Sequence, residues 1–108
     1  MSNIFISKAL PITSVNDIRV KFEELKLGVI DFIEMKEYGL MFGTFKQFWI
    51  HYSSFSTEEH AVELMERIIR NEKRQSSGEI VPTDDIPRIV YGTGKDMYWQ
   101  VFAYKTTP

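Results

Sequence analysis

The sequence predicts an α+β domain: a four-stranded antiparallel sheet with two helices on one face, in the order strand, helix, strand, strand, helix, strand, plus an extra hairpin arm before the last strand. Three observations predict it. The segments Phe45 to Tyr52 and Met97 to Lys105 alternate apolar and polar residues with the period of a half-buried strand. Two other segments repeat apolar residues at spacings of three and four, the period of an amphipathic helix. At 108 residues the chain is long enough for one two-layer core and too short for two, so these elements belong to a single domain over 1–108.

The first strand is Asn3 to Ser7, with Ile4 and Ile6 on one face and Phe5 on the other. Pro11, which has no amide hydrogen, breaks the ladder. Helix one starts from a cap at Thr13 or Ser14, carries Val15, Ile18, Phe22 and Leu25 on one stripe, and stops at Gly28. Val29 to Met35 reads as a second strand whose poor alternation leaves its faces unassigned, and Lys36 to Thr44 is either a loop or the continuation of that strand into a long hairpin.

The third strand sets Phe48, Ile50 and Tyr52 against the core and Gln47, Trp49 and His51 on the opposite face. Ser56-Thr57-Glu58-Glu59 then opens a second helix: a hydroxyl residue caps it and acidic residues suit the positive end of its dipole. That helix runs to about Arg74, with Ala61, Leu64, Met65 and Ile68 inward and the basic Arg67, Arg70, Lys73 and Arg74 in its last turns. A polar loop from Gln75 to Pro87 leads to a hairpin, Arg88 to Tyr91 and Met97 to Lys105, around Gly92 to Asp96. In its second arm Met97, Trp99, Val101 and Ala103 share one face and Tyr98, Gln100, Phe102 and Tyr104 the other.

Composition narrows the function classes. Hydrophobic residues make up 44% and charged residues 26%, the balance of a folded chain rather than a disordered one. The absence of cysteine excludes disulfides, thiolate zinc sites and cysteine nucleophiles. No apolar run approaches the roughly 18 residues of a membrane span, and the amino terminus lacks a signal-peptide pattern, so the expectation is a soluble intracellular protein, nuclear or cytoplasmic, with no membrane partner.

Enzyme signatures are missing. His51 and His60 have no second ligand at metal spacing, Gly92-Thr93-Gly94-Lys95 lacks the helix that a phosphate loop needs, and adjacent acids such as Glu58-Glu59 diverge on a helix. The expectation is a non-enzyme with no metal and no cofactor. A net charge of −2 does not supply the basic field of a strong phosphate binder.

Two helices on one side of such a sheet make the split βαβ, ferredoxin-like arrangement, which leaves the other face open. In this order and in its aromatics the chain resembles the RNA recognition motif family over residues 3–105. Ile4-Phe5-Ile6 matches the family's short motif, and Trp49, Ile50 and Tyr52 match the end of its octamer. Phe45, Lys46, Gln47 and Phe48 depart from it, so half of the octamer is present. The resemblance implies that Phe5 and Trp49 stack bases and that Gln47 replaces a third aromatic.

Alternation points independently to the same surface. If Ile4, Ile6, Phe48, Ile50 and Tyr52 face the helices, then Phe5, Gln47, Trp49, His51, Gln100, Phe102 and Tyr104 face away, with Lys8 and Lys46 as accessory cations. The expected partner is single-stranded RNA or single-stranded DNA held by stacking on an open sheet. The alternative is a protein-interaction module whose aromatic face docks a protein partner or a second copy. A small enzyme on the same scaffold has no residues that call for it.

Overall fold

In β1 (Ser2–Ala9) the inward side chains Ile4 and Ile6 are fully buried while Phe5 between them is half-buried, and this alternation orients the sheet. The structure is a computed structural model; it describes residues 2–40, 43–82, 85–92 and 97–105, and of residues 2, 40, 104 and 105 the backbone alone. Helix α1 (Val15–Glu24) starts at a capping box: Ser14 accepts from the Asp17 amide, and Asp17 accepts from the Ser14 amide at 2.8 Å. Its end is not at Gly28. The chain turns at Lys26, whose φ of 54° is left-handed, and Gly28 opens β2 (Gly28–Leu40) with a φ of 156°. A Cβ at Gly28 would lie 2.2 Å from the Ser54 carbonyl oxygen, so the strand start accepts only glycine.

β2 and β3 (Gly43–Phe55) form one long hairpin, paired from Gly28 opposite Phe55 to Leu40 opposite Gly43. Lys36 to Thr44 is thus strand on both sides of residues 41–42. The register slips at Asp31: Ile30 faces Tyr52 and Phe32 faces His51, so two steps on β2 match one on β3. This bulge is why Ile30 and Ile33, three residues apart, both pack against the core.

Helix α2 (Glu59–Ser76) follows a bend at Glu58, whose amide donates to the Ser56 hydroxyl. The cap position is Glu58, without a side-chain bond, so the expected hydroxyl cap acts two residues early.

The expected four-stranded sheet is corrected by the fifth strand. β4 (Arg88–Val90) and β5 (Tyr98–Lys105) pair as a hairpin, and β4 lies within the sheet as its edge, giving the antiparallel order β2-β3-β1-β5-β4. What sequence reading treated as an added arm is an integral strand, because Ile89 is buried opposite Trp99 and the Val101 amide donates to the Pro87 carbonyl at 3.0 Å. The ferredoxin-like βαββαβ description therefore does not hold for this chain.

One core holds the layers together. Ile18 and Phe22 of α1 and Ala61, Met65 and Ile68 of α2 pack with Ile4, Ile6, Phe48, Ile50, Tyr52, Trp99 and Val101 of the sheet. These sheet residues alternate within each strand and oppose one another across the ladder, as Ile6 opposes Phe48 and Val101, so both helices cover the same face. Among the described residues no helix is long and apolar enough to cross a membrane.

Candidate functional site

Phe5 stands at the centre of the other face. In the ladder it lies directly opposite Trp49 on one side and Phe102 on the other, which brings residues 49, 5 and 102 into a row across three adjacent strands. The ring of Phe5 is 5.2 Å from that of Trp49 at an interplanar angle of 28°, and 6.2 Å from that of Phe102 at 45°. All three side chains are half-buried. Directly opposed side chains on one face approach within contact distance, so the row is a consequence of strand order and register.

A second pair continues the face along the β2–β3 hairpin. Tyr38 and Phe45 stack at 5.3 Å and 16°, with Lys36 Nζ 5.0 Å from the Tyr38 ring centroid. At the opposite edge the Arg88 guanidinium lies 4.8 Å from the Tyr98 ring centroid. Lys36 and Arg88 thus lie over rings of this aromatic surface.

Lys46, expected among the binding residues, is turned to the helix side: its Nζ donates to the Thr13 carbonyl at 2.8 Å and steadies the entry to α1. Its parity with Phe48 explains the placement. Lys8 is exposed at the rim, where a slip in the β1–β3 register between Ile6 and Ala9 displaces it, and it lines a cleft of about 350 Å³ with Ser7, Phe45, Tyr98 and Gln100. Gln47 is on the predicted face, but its Nε2 donates to the Ser7 carbonyl at 3.1 Å. Gln100 is half-buried beside the row, and the side chain of Tyr104 lies outside the described residues, as does Lys95.

His51 has the expected parity but not the expected exposure. It is 7% exposed, covered by Phe32 at 4.1 Å and 13°. The Asn3 side chain locks it from below: Asn3 Oδ1 accepts from the Tyr52 amide at 3.0 Å, so its Nδ2 is the atom facing His51 Nδ1 at 3.3 Å. An amide nitrogen only donates, so Nδ1 accepts and the ring proton sits on Nε2, the nitrogen 2.8 Å from Glu34 Oε1. His51 is thus a positioning group beneath the surface, and Phe32, 45% exposed, takes its place in contact with solvent.

Phe32, Glu34, Lys36 and Asn3 escaped sequence reading. For Phe32, Glu34 and Lys36 the signal is alternation within β2, whose parity the Asp31 bulge reverses partway along; for Asn3 it is the parity of Phe5 on β1. Elsewhere, His60 Nε2 lies 2.9 Å from the Leu25 carbonyl oxygen at the end of α1, and Arg74 in the basic end of α2 is paired with Glu79 and with Asp85. Among the described residues no group of three or more His, Cys, Asp or Glu could hold a metal ion.

Comparison with protein-family models, with curated proteins and with solved structures gives no match to this chain.

Proposed function

We propose that the sheet face opposite the helices binds single-stranded RNA, bases stacking on Trp49, Phe5 and Phe102. The observation that carries this reading is the row of half-buried rings on three adjacent strands, on the side of the sheet away from both helices. Stacking of one base on an aromatic side chain contributes about 1–3 kcal/mol, and micromolar affinity corresponds to about 8 kcal/mol, so two or three stacks plus a few polar contacts reach it. Phosphate contacts fall to Lys36, Arg88 and Lys8 at the rim. With a net charge of −2 the salt dependence of binding is shallow. RNA rather than DNA is the choice that the resemblance in Ile4-Phe5-Ile6 and in Trp49, Ile50 and Tyr52 supports.

The test uses the protein's own fluorescence. Trp99 is buried between Phe22 and Tyr91, so emission that responds to an added oligonucleotide reports on Trp49. A short mixed-sequence RNA is expected to quench it, and Trp49→Ala to abolish the response with circular dichroism unchanged. Silence toward every single-stranded pool at low salt sinks the proposal. A second copy of this chain, or another protein, on the same face is the competing outcome, and sedimentation across a wide concentration range reveals self-association.

A further inference from the structure

An acid stands at the edge of the proposed platform, where a binder of polyanions has little general use for one. Glu34 lies directly opposite Trp49 in the β2–β3 register and on the same face. Its side chain is 59% exposed, yet Oε1 is held 2.8 Å from His51 Nε2. His51 is in turn fixed between Asn3 and Phe32. Hydrogen bonds fix the Tyr52 amide, Asn3 and His51 in turn, and the exposed Glu34 carboxylate lies within ion-pair distance of that ring.

We infer that Glu34 makes this face select guanine, by accepting the two hydrogens of the guanine N1 and 2-amino groups from a base stacked on Trp49. This rests on the proposed RNA-binding reading of the same face. Opposed residues of an antiparallel pair have Cβ atoms about 4.5–5.5 Å apart, which puts the carboxylate beside the ring rather than under it, at the edge of a stacked base. An ionised carboxylate only accepts hydrogen bonds. Guanine is the one common base with two neighbouring donors on its pairing edge. Adenine and cytosine each set an acceptor nitrogen beside their single amino group, and uracil flanks one N–H with two carbonyl oxygens, so each brings a lone pair against the acid. The acid that weakens phosphate attraction therefore acts as a filter on the base.

The experiment titrates the intact chain with uridine-tract RNAs carrying one central guanosine, adenosine, cytidine or inosine, read by Trp49 quenching. The guanosine RNA is expected to bind about tenfold more tightly than the adenosine or cytidine RNA, the discrimination of one good bidentate pair. Inosine, which lacks the 2-amino group, is expected to lose most of that advantage. Glu34→Gln replaces one acceptor oxygen by a donor on an exposed side chain, so it is expected to bring all four RNAs to similar affinity. Quenching by all four RNAs alike in the unmodified chain overturns the inference and leaves the platform standing. Guanosine preference that persists in Glu34→Gln overturns the assignment to this residue. If no RNA quenches Trp49, the platform reading fails and this inference with it.

Discussion

On the helix-covered side of the sheet Trp99 is 3% exposed, near-parallel to Phe22 of α1 at 6.3 Å and to Tyr91 at 4.5 Å; on the other side Trp49 is half-buried and 5.2 Å from Phe5. Both indoles sit on adjoining parts of one sheet, two strands apart in the order β3-β1-β5. On the covered side Trp99 Nε1 and the Tyr52 hydroxyl are buried without a hydrogen-bond partner among the described residues. Such orphaned groups cost about 1–3 kcal/mol each, which the surrounding apolar packing has to outweigh. The other side reverses this. Its buried polar groups Asn3 and His51 are bonded to each other, and Asn3 also to the Tyr52 amide, while its rings remain partly in solvent. One face spends its aromatics on stability and the other keeps them available.

The largest expected effect tests the covered face. Trp99→Ala should destabilise the fold by about 3–5 kcal/mol, the cost of truncating a buried aromatic, seen as a lower urea midpoint at unchanged m-value. A loss below about 1 kcal/mol would break the contrast between the faces.

Asn3→Ala comes next, because it strands the Tyr52 amide and removes the group that orients His51. We expect a loss of about 1–3 kcal/mol in the same titration, together with a shifted His51 ring signal in nuclear magnetic resonance. An unchanged midpoint means that water replaces the amide and that the open face is not anchored there.

Trp49→Ala should cost only about 1 kcal/mol in stability, while binding of single-stranded RNA falls by about 1–3 kcal/mol. Equal and large losses in both quantities make Trp49 a packing residue like Trp99.

The smallest effect is at Tyr52. Burial raises its hydroxyl far above the ordinary tyrosine value of 10.0. Above about pH 10 the unfolded chain releases this proton and the folded chain keeps it, so the stability present below that pH is lost as pH rises. Tyr52→Phe removes a buried hydroxyl that has no hydrogen-bond partner among the described residues, so it should stabilise the fold by about 1 kcal/mol at pH 7 and should flatten the alkaline fall. Parallel melting curves of the two proteins between about pH 9 and pH 12 decide it.

Much of this architecture is legible residue by residue. Ile4-Phe5-Ile6 and Phe48 to Tyr52 show their faces by simple alternation, and Ser14 with Asp17 marks the start of α1. The faces of β2 are illegible because one extra residue at Asp31 inverts parity, and nothing in Val29 to Met35 says where the inversion lies. Lys46 differs: its charge suggests the binding face, while its parity with Phe48 puts it on the helix side, where it bonds the Thr13 carbonyl. Alternation shows the face of His51 but not its burial, because the residues that cover it, Phe32 and Asn3, come from the two neighbouring strands.

By itself the sequence determined the periods, the cap of α1 and which side chains share a face in β1, β3 and β5, because these follow from backbone geometry within a few residues. Only the tertiary structure decided that β4 belongs to the sheet, that β2 bulges at Asp31, and that Glu34 meets both His51 and Trp49. Those outcomes depend on which strand lies alongside and in what register, and a one-residue slip there exchanges every inward side chain for an outward one.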